Sequence, residues 1–301
     1  MANLETARKN LPGYFPELLR VEKKLSGYRE PKEVHAPVFT GRIQREGYVI
    51  EKYLVKGEGS YMIPYLLFKP DNPDHKALIY LNPLGKSADA EVGGPVEWFV
   101  KKGVTVLAPD LVGTGELGPG DFRGDSYIDS VSYNVWFAAM LIGRSIVGIQ
   151  AGDVVRLVKL LKQDVNMQVV YGLARKQMAP VMLHAAAFDR DVSKVALIEP
   201  YSSYRSVVMS PGYDPRFLHS TVAGSIGIYD LPDLAASLAP GSLLLAGVTD
   251  GNGSSKNTAE IQKDLSVIES AYKRNGPGAL EIIPAGSDNT LLEHLTTWLE
   301  K

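Results

Sequence analysis

Apolar positions along this chain come in short blocks separated by longer periodic stretches. The blocks Ala77–Leu81, Val104–Ala108, Gln168–Tyr171, Lys194–Ile198, Ser242–Val248 and Leu280–Pro284 are rich in Val, Ile and Leu, and turn-forming residues follow each. Unbroken apolar runs of this length suit strands buried on both faces, as in a parallel sheet. The stretches Glu91–Lys102, Val131–Leu161, Pro180–Phe188, Asn257–Asn275 and Asn289–Lys301 carry helical patterns. In the second of them, Val154, Val155, Val158 and Leu161 recur on one helical face. Earlier, Gly47–Lys56 and Tyr61–Lys69 flank Gly57-Glu-Gly-Ser60 and predict a β-hairpin. A hairpin followed by alternating β and α predicts an α/β fold, a three-layer sandwich around a mostly parallel sheet of about eight strands.

Residues 46–301 are expected to form that body, and residues 1–45 read as a separate lead-in. Pro16–Ser26 predicts a helix with Leu18, Leu19, Val21 and Leu25 on one side and proline in its first turn. Gly27–Thr40 is polar and proline-containing, and is expected to be a strap lying on the body.

Composition narrows the function classes. Of 301 residues, 45% are hydrophobic and 22% charged, with a net charge of −2. No basic field favours nucleic acid or an anionic membrane. No apolar run approaches the ~20 residues of a membrane span. The first ten residues carry charge with no apolar stretch behind them, so no signal peptide is expected, although a start inside a longer precursor fits equally well. The absence of cysteine removes disulfides, thiolate metal sites and a cysteine nucleophile. It leaves the location open, being compatible with the cytosol and with a periplasmic or secreted protein. Gly113–Gly118 matches G-x-G-x-x-G, but Pro119-Gly-Asp121 follows, so no helix N-terminus is expected there to hold a dinucleotide pyrophosphate. No HExxH, EF-hand or paired-histidine spacing is present, and neither metal nor cofactor is expected.

A nucleophilic serine set on a sharp strand-to-helix turn has the pattern G-x-S-x-G. The matching context here is the strand Gln168–Tyr171, the turn Gly172-Leu-Ala174-Arg175-Lys176 and the helix Pro180–Phe188. The first glycine is present, Ala174 stands at the nucleophile position and Lys176 replaces the last glycine. Asp250, in Gly247-Val-Thr-Asp250-Gly-Asn-Gly253, stands at the acid position after the next-to-last strand. An Asx turn at a strand end accounts for it as well. The histidine should lie after the last strand, near Ser287, but the loop Pro284-Ala-Gly-Ser287-Asp-Asn289 has none. His294 sits inside the C-terminal helix, His184 reads as core, His219 could face the cleft mouth, and His35 and His75 fall in loops. The oxyanion loop would be Asn82-Pro-Leu84-Gly85-Lys86. Asn82, Leu84, Gly85, Arg175 and His219 are therefore candidates to line the cleft. Ser145, in Gly143-Arg-Ser145-Ile-Val-Gly148, lies inside the long helical stretch and reads as a helix or kink residue.

These segments carry a resemblance. Asp110-Leu-Val-Gly113-Thr-Gly115 resembles the D-x-x-G-x-G loop of α/β-hydrolases, and Gly143–Asp153 a helix of acetyl xylan esterase-like and related carbohydrate esterases. Tyr171–Ala187 is similar to their nucleophile turn and following helix without the serine. The resemblance covers roughly residues 47–301 and implies, for the family, hydrolysis of acetylated carbohydrates by a Ser–His–Asp triad, with no cofactor. It also implies that such a domain can stand beside a second hydrolase domain in one chain. Only Asp250 matches the triad. Three readings follow. The first is an inactive esterase-like domain binding a carbohydrate or partner domain. The second is an active ester hydrolase with a displaced site, using Ser202, Ser203 or Ser287 with His219 or His294. The third is a structural or interaction domain whose cleft Arg175 and Lys176 fill.

Overall fold

A computed structural model describes residues 11–118, 127–128, 131–163, 167–275, 279–286 and 288–300. Its main sheet has nine strands in the order β1-β2-β3-β5-β4-β8-β9-β10-β11. The first three are β1 (Val38–Arg45), β2 (Tyr48–Lys56) and β3 (Met62–Pro70), an antiparallel meander whose last member also runs antiparallel to β5 (Thr105–Pro109). From β5 the sheet is parallel through β4 (Lys76–Leu81), β8 (Val169–Arg175), β9 (Val192–Ile198), β10 (Ser242–Ala246) and β11 (Leu280–Ile283). A small separate ribbon pairs β6 (Tyr127–Ile128) with β7 (Val131–Ser132).

One layer of helices contains α1 (Leu11–Ser26), α4 (Ile146–Gln163), α5 (Ala179–Phe188), α7 (Leu231–Ser237) and α8 (Thr258–Asn275). The other contains α2 (Pro95–Lys101) and α9 (Asp288–Glu300). Two short helices complete the chain, α3 (Tyr133–Leu141) and α6 (Tyr204–Met209). Strand side chains alternate between the layers. In β8, Val170 and Ala174 join the core under α4 and α5, while Tyr171 and Leu173 pack with Phe99 and Trp298 on the far side. A strand buried on both faces has to be apolar at successive positions, and this is what made these blocks visible in the sequence.

Three elements differ from expectation. The first helix begins at Leu11, so Pro16 lies inside it and not in its first turn. The strap ends earlier, because Val38–Arg45 joins the sheet as its edge strand. Most of its residues are exposed, so no buried face gave it an alternating pattern. The long helical stretch is two helices, α3 and α4, bent by 83°. The break lies at Gly143-Arg144-Ser145, where Ser145 Oγ accepts the Gly148 N–H at 2.9 Å and donates to the Ser26 carbonyl at 2.8 Å. Ser145 thus satisfies a free amide at the start of α4 and ties that helix to the end of α1.

Asp110, just past β5, fixes the loops beneath the cleft. Its buried carboxylate accepts from the Lys86 backbone at 2.6 Å and the Glu116 backbone at 3.0 Å, and pairs with the Lys86 ammonium at 2.5 Å. The D-x-x-G-x-G spacing follows from this packing. Gly115 has φ +52°, and a Cβ there would lie 2.0 Å from Asp110 Oδ1.

α1 docks with a buried carboxyl. Neither Glu22 oxygen has a hydrogen-bond partner among the described residues. Burial first, and the charge of Asp233 on α7 second, push Glu22 up to about 9.

Gly115→Ala is expected to destabilise the protein by about 2–4 kcal/mol in urea unfolding, through overpacking on Asp110 and left-handed backbone strain. A second expectation concerns pH. Folded Glu22 keeps its proton to about pH 9, whereas an ordinary glutamate loses it near 4.5. Its contribution to stability is therefore full below about pH 4.5 and falls as pH rises toward 9. Glu22→Gln should flatten that fall, so that urea melts show a larger gain over wild type at about pH 8 than at about pH 5.

Candidate functional site

The strand-to-helix turn lies two residues later than the sequence suggests. Ala174 is not at its apex. It is fully buried inside β8, paired with Leu81 of β4 and Leu197 of β9. The backbone reverses at Lys176, whose φ is +51°, and a 3-10 turn (Lys176–Met178) then leads into α5. Such strain on a non-glycine residue is what a nucleophile elbow imposes. Gly172, read as the first glycine of that elbow, serves packing instead: a Cβ there would lie 2.3 Å from Met182 Sδ of α5.

Lys176 Nζ stands 3.5 Å from Glu199 Oε2, with both side chains about half exposed. Glu199 is the first residue after β9 and also has a positive φ, +53°. The two border an open cavity of about 300 Å³, to which Gln177, Asp214, Arg216, Phe217, Thr249 and Ser255 also contribute. Arg216 clamps Asp214 through Nε at 2.9 and 3.0 Å. Burial alone would raise the Asp214 carboxyl, but the hydrogen bonds from Arg216 and its charge hold it below the usual range.

The other expected site residues are placed differently. Asp250 does not line the cavity; Thr249 does. Asp250 Oδ1 accepts the backbone N–H groups of Asn252 at 2.9 Å and Ser254 at 3.0 Å, as an Asx turn does. After β11 come Pro284, Ala285 and Gly286, with Ala285 on the cavity wall; Ser287 lies outside the described residues. In the oxyanion loop, the Leu84 N–H is given to Asn82 Oδ1 at 2.9 Å, that of Gly85 to the Asn82 carbonyl at 3.0 Å, and that of Lys86 to Asp110. Asn82 Nδ2 in turn donates to Asp89 at 2.8 Å. These three amides are thus engaged, two with Asn82 of the same loop and one with Asp110 after β5.

Arg175 turns away from the cavity. Its Nη1 lies 3.4 Å from Tyr80 Oη and 3.5 Å from Asp89 Oδ2. His219 Nε2 faces the Ser132 carbonyl at 2.5 Å, on a 3-10 turn over β7. His294 pairs with Glu281 of β11. His184 is enclosed between the Pro180 carbonyl at 2.6 Å and Tyr229 Oη at 3.0 Å, and burial pushes it down to about 4. Ser202 and Ser203 both donate to Asp264 of α8, at 2.8 and 2.5 Å. The displaced pair of the second reading is therefore not assembled from Ser202 or Ser203, whose hydroxyls are held by a carboxylate. Among the described residues, no three histidine, aspartate or glutamate side chains come together as a metal-binding group.

Glu199, Asp214, Arg216, Thr249 and Ser255 were not visible as site residues. The turn Asp214-Pro215-Arg216 and the glutamate directly behind an apolar strand are local signals for them, but neither points to a cleft without the sheet.

Several solved structures with the same architecture are esterases. A candidate acetyl xylan esterase from Bacteroides fragilis superposes with a TM-score of 0.75 at 17% identity, over 94% of this chain and 78% of its own. The acetyl xylan esterase from Paenibacillus sp. R4 gives 0.63 at 13% identity, over 97% of this chain and 98% of its own. The glucuronoyl esterase from Solibacter usitatus gives 0.62 at 11%, over 94% and 91%. The chain has the α/β-hydrolase fold. No family model and no curated protein matches the sequence. Within the hydrolase fold, Lys176 occupies the strained apex at the C-terminal edge of the sheet, where ligands of open α/β sheets bind.

The Asx-turn role of Asp250 has a measurable consequence. Asp250→Ala should cost about 1–2 kcal/mol in thermal or urea unfolding, because two backbone amides lose their acceptor. Asp250→Asn, which keeps Oδ1, should cost about 0.5 kcal/mol or less.

Proposed function

We propose that this chain is an esterase-like domain that has lost hydrolysis and binds a carbohydrate in the cleft above β8, β9 and β10. The observation that carries the reading is Lys176 at the elbow apex. An ammonium opposite a carboxylate replaces the hydroxyl that a Ser–His–Asp site needs. Asp250 is committed to its own turn, and no imidazole stands at Pro284, Ala285 or Gly286 to take a proton. Enzymes stripped of a triad member still draw roughly 10³–10⁴-fold acceleration from the oxyanion hole and binding. Here the amides of Leu84 and Gly85 are given to Asn82 and that of Lys86 to Asp110, so that residue of activity is not expected either.

Binding is favoured over a purely structural role because the cleft is open and polar. Gln177, Glu199, Asp214, Arg216, Thr249 and Ser255 offer donors and acceptors suited to adjacent sugar hydroxyls, and Phe217 supplies an apolar wall. The likeness to acetyl xylan and glucuronoyl esterases supports a plant-type polysaccharide or its oligomers as the ligand class.

The protein should give no fluorophosphonate labelling and no hydrolysis of 4-nitrophenyl acetate above buffer. Lys176→Ser should stay at that baseline, since a hydroxyl alone restores neither base nor oxyanion hole. Calorimetric titration with xylo-oligosaccharides, acetylated or not, should show binding that Arg216→Ala weakens by about tenfold. Labelling of any serine in the wild type would overturn the loss of hydrolysis, and absence of heat with every oligosaccharide would overturn the ligand class.

A further inference from the structure

Behind Arg175, on the face of the sheet covered by α2 and α9, lies a second cavity of about 170 Å³. Tyr80, Trp98, Phe99, Leu291 and Leu292 supply its apolar walls, and among the described residues Arg175 is the one charged side chain on them. An apolar cavity of about 150 Å³ is enough to hold benzene. This one therefore has room for a six-membered ring and a small substituent. Its shape and lining follow the usual pattern of ligand sites, a largely apolar hollow with one orienting polar group.

The guanidinium has spare capacity. Nη1 faces Tyr80 Oη and Asp89, while Nε and Nη2 have no protein partner among the described residues. The charges of Asp89 and Glu199 act on it, but each acid has a further partner. Asp89 already accepts from Tyr80 Oη at 2.7 Å and from Asn82 Nδ2 at 2.8 Å, and Glu199 faces Lys176. Asp89 and Tyr80 thus hold one side of a planar fork in place and leave its other edge for an acceptor. Two oxygens in a plane match that edge, so a carboxylate is the complementary group. Arg175 also borders the smaller cavity leading toward Glu199 and Gly247, which gives the pocket continuity with the cleft edge.

We propose that this pocket is a binding site for a small aromatic carboxylate, its ring between Trp98, Phe99 and the α9 leucines and its carboxylate on the free edge of Arg175. The site is separate from the polar cleft around Lys176 and does not rest on the carbohydrate reading.

Trp98 on the pocket wall gives a direct readout. Intrinsic fluorescence of the full chain, titrated with benzoate, benzamide and benzylamine, should saturate with benzoate in the millimolar range or tighter. Benzamide should bind about tenfold more weakly, and benzylamine should give no saturable change. Arg175→Gln should weaken benzoate about tenfold or more while leaving benzamide nearly unchanged. Leu292→Trp, which fills the hollow without touching the charge, should abolish both and keeps the test valid if the arginine variant folds poorly. Trp98→Phe should remove the signal change, while calorimetry still reports benzoate binding. The proposal is overturned if benzamide or benzylamine binds as tightly as benzoate, if well-folded Arg175→Gln binds benzoate unchanged, if Leu292→Trp leaves binding intact, or if benzoate does not saturate.

Discussion

Parallel strands covered by helices on both faces have no room for polar side chains along their length. Only the strand ends can carry chemistry. In this chain that constraint drives polar groups to the C-terminal edge of the sheet, where Lys176, Glu199 and Thr249 emerge after β8, β9 and β10. It also fixes how the edge is supported. The loops leaving β4 and β5 are bound to one buried carboxylate, Asp110, which takes two backbone amides and a lysine. In the first of them the Leu84, Gly85 and Lys86 amides are already given to Asn82 and Asp110.

The turn out of β8 carries a left-handed lysine at its apex. A left-handed lysine costs free energy wherever it stands, and the surrounding strand and helix impose the conformation. Opposite it stands a second residue of the same kind, Glu199, also at positive φ and also at a strand exit. Their charges face each other across the mouth of an open cavity. Beyond it, Arg175 points to the opposite layer, so two consecutive residues serve two different hollows, one polar and one apolar.

Much of the architecture was legible because burial on both faces leaves unmistakable apolar blocks. The parallel strands lie close to the blocks read for them. The edge strand Val38–Arg45 was not legible, since an exposed strand has no face to protect from water. The break between α3 and α4 was hidden by uniform apolarity on both sides of Gly143, and it shows only where Ser145 meets the end of α1. At the site, periodicity could not count how far β8 runs. Ala174 and Arg175 extend its pairing with β9, and this carries the turn to Lys176.

The sequence by itself determined the alternation of strands and helices, the absence of thiol chemistry and the lack of a histidine in the loop after the last strand. These are properties of composition and order, which no folding can alter. Tertiary structure alone decided which residue stands at the elbow, which carboxylates face the cleft and which are spent on their own turns. Those outcomes depend on register and on competition for hydrogen bonds between segments far apart in the chain. Asp250 and Asp214 are alike in local sequence character, each beside a turn. Only the packed sheet places Asp214 on the cavity wall and leaves Asp250 holding its own loop.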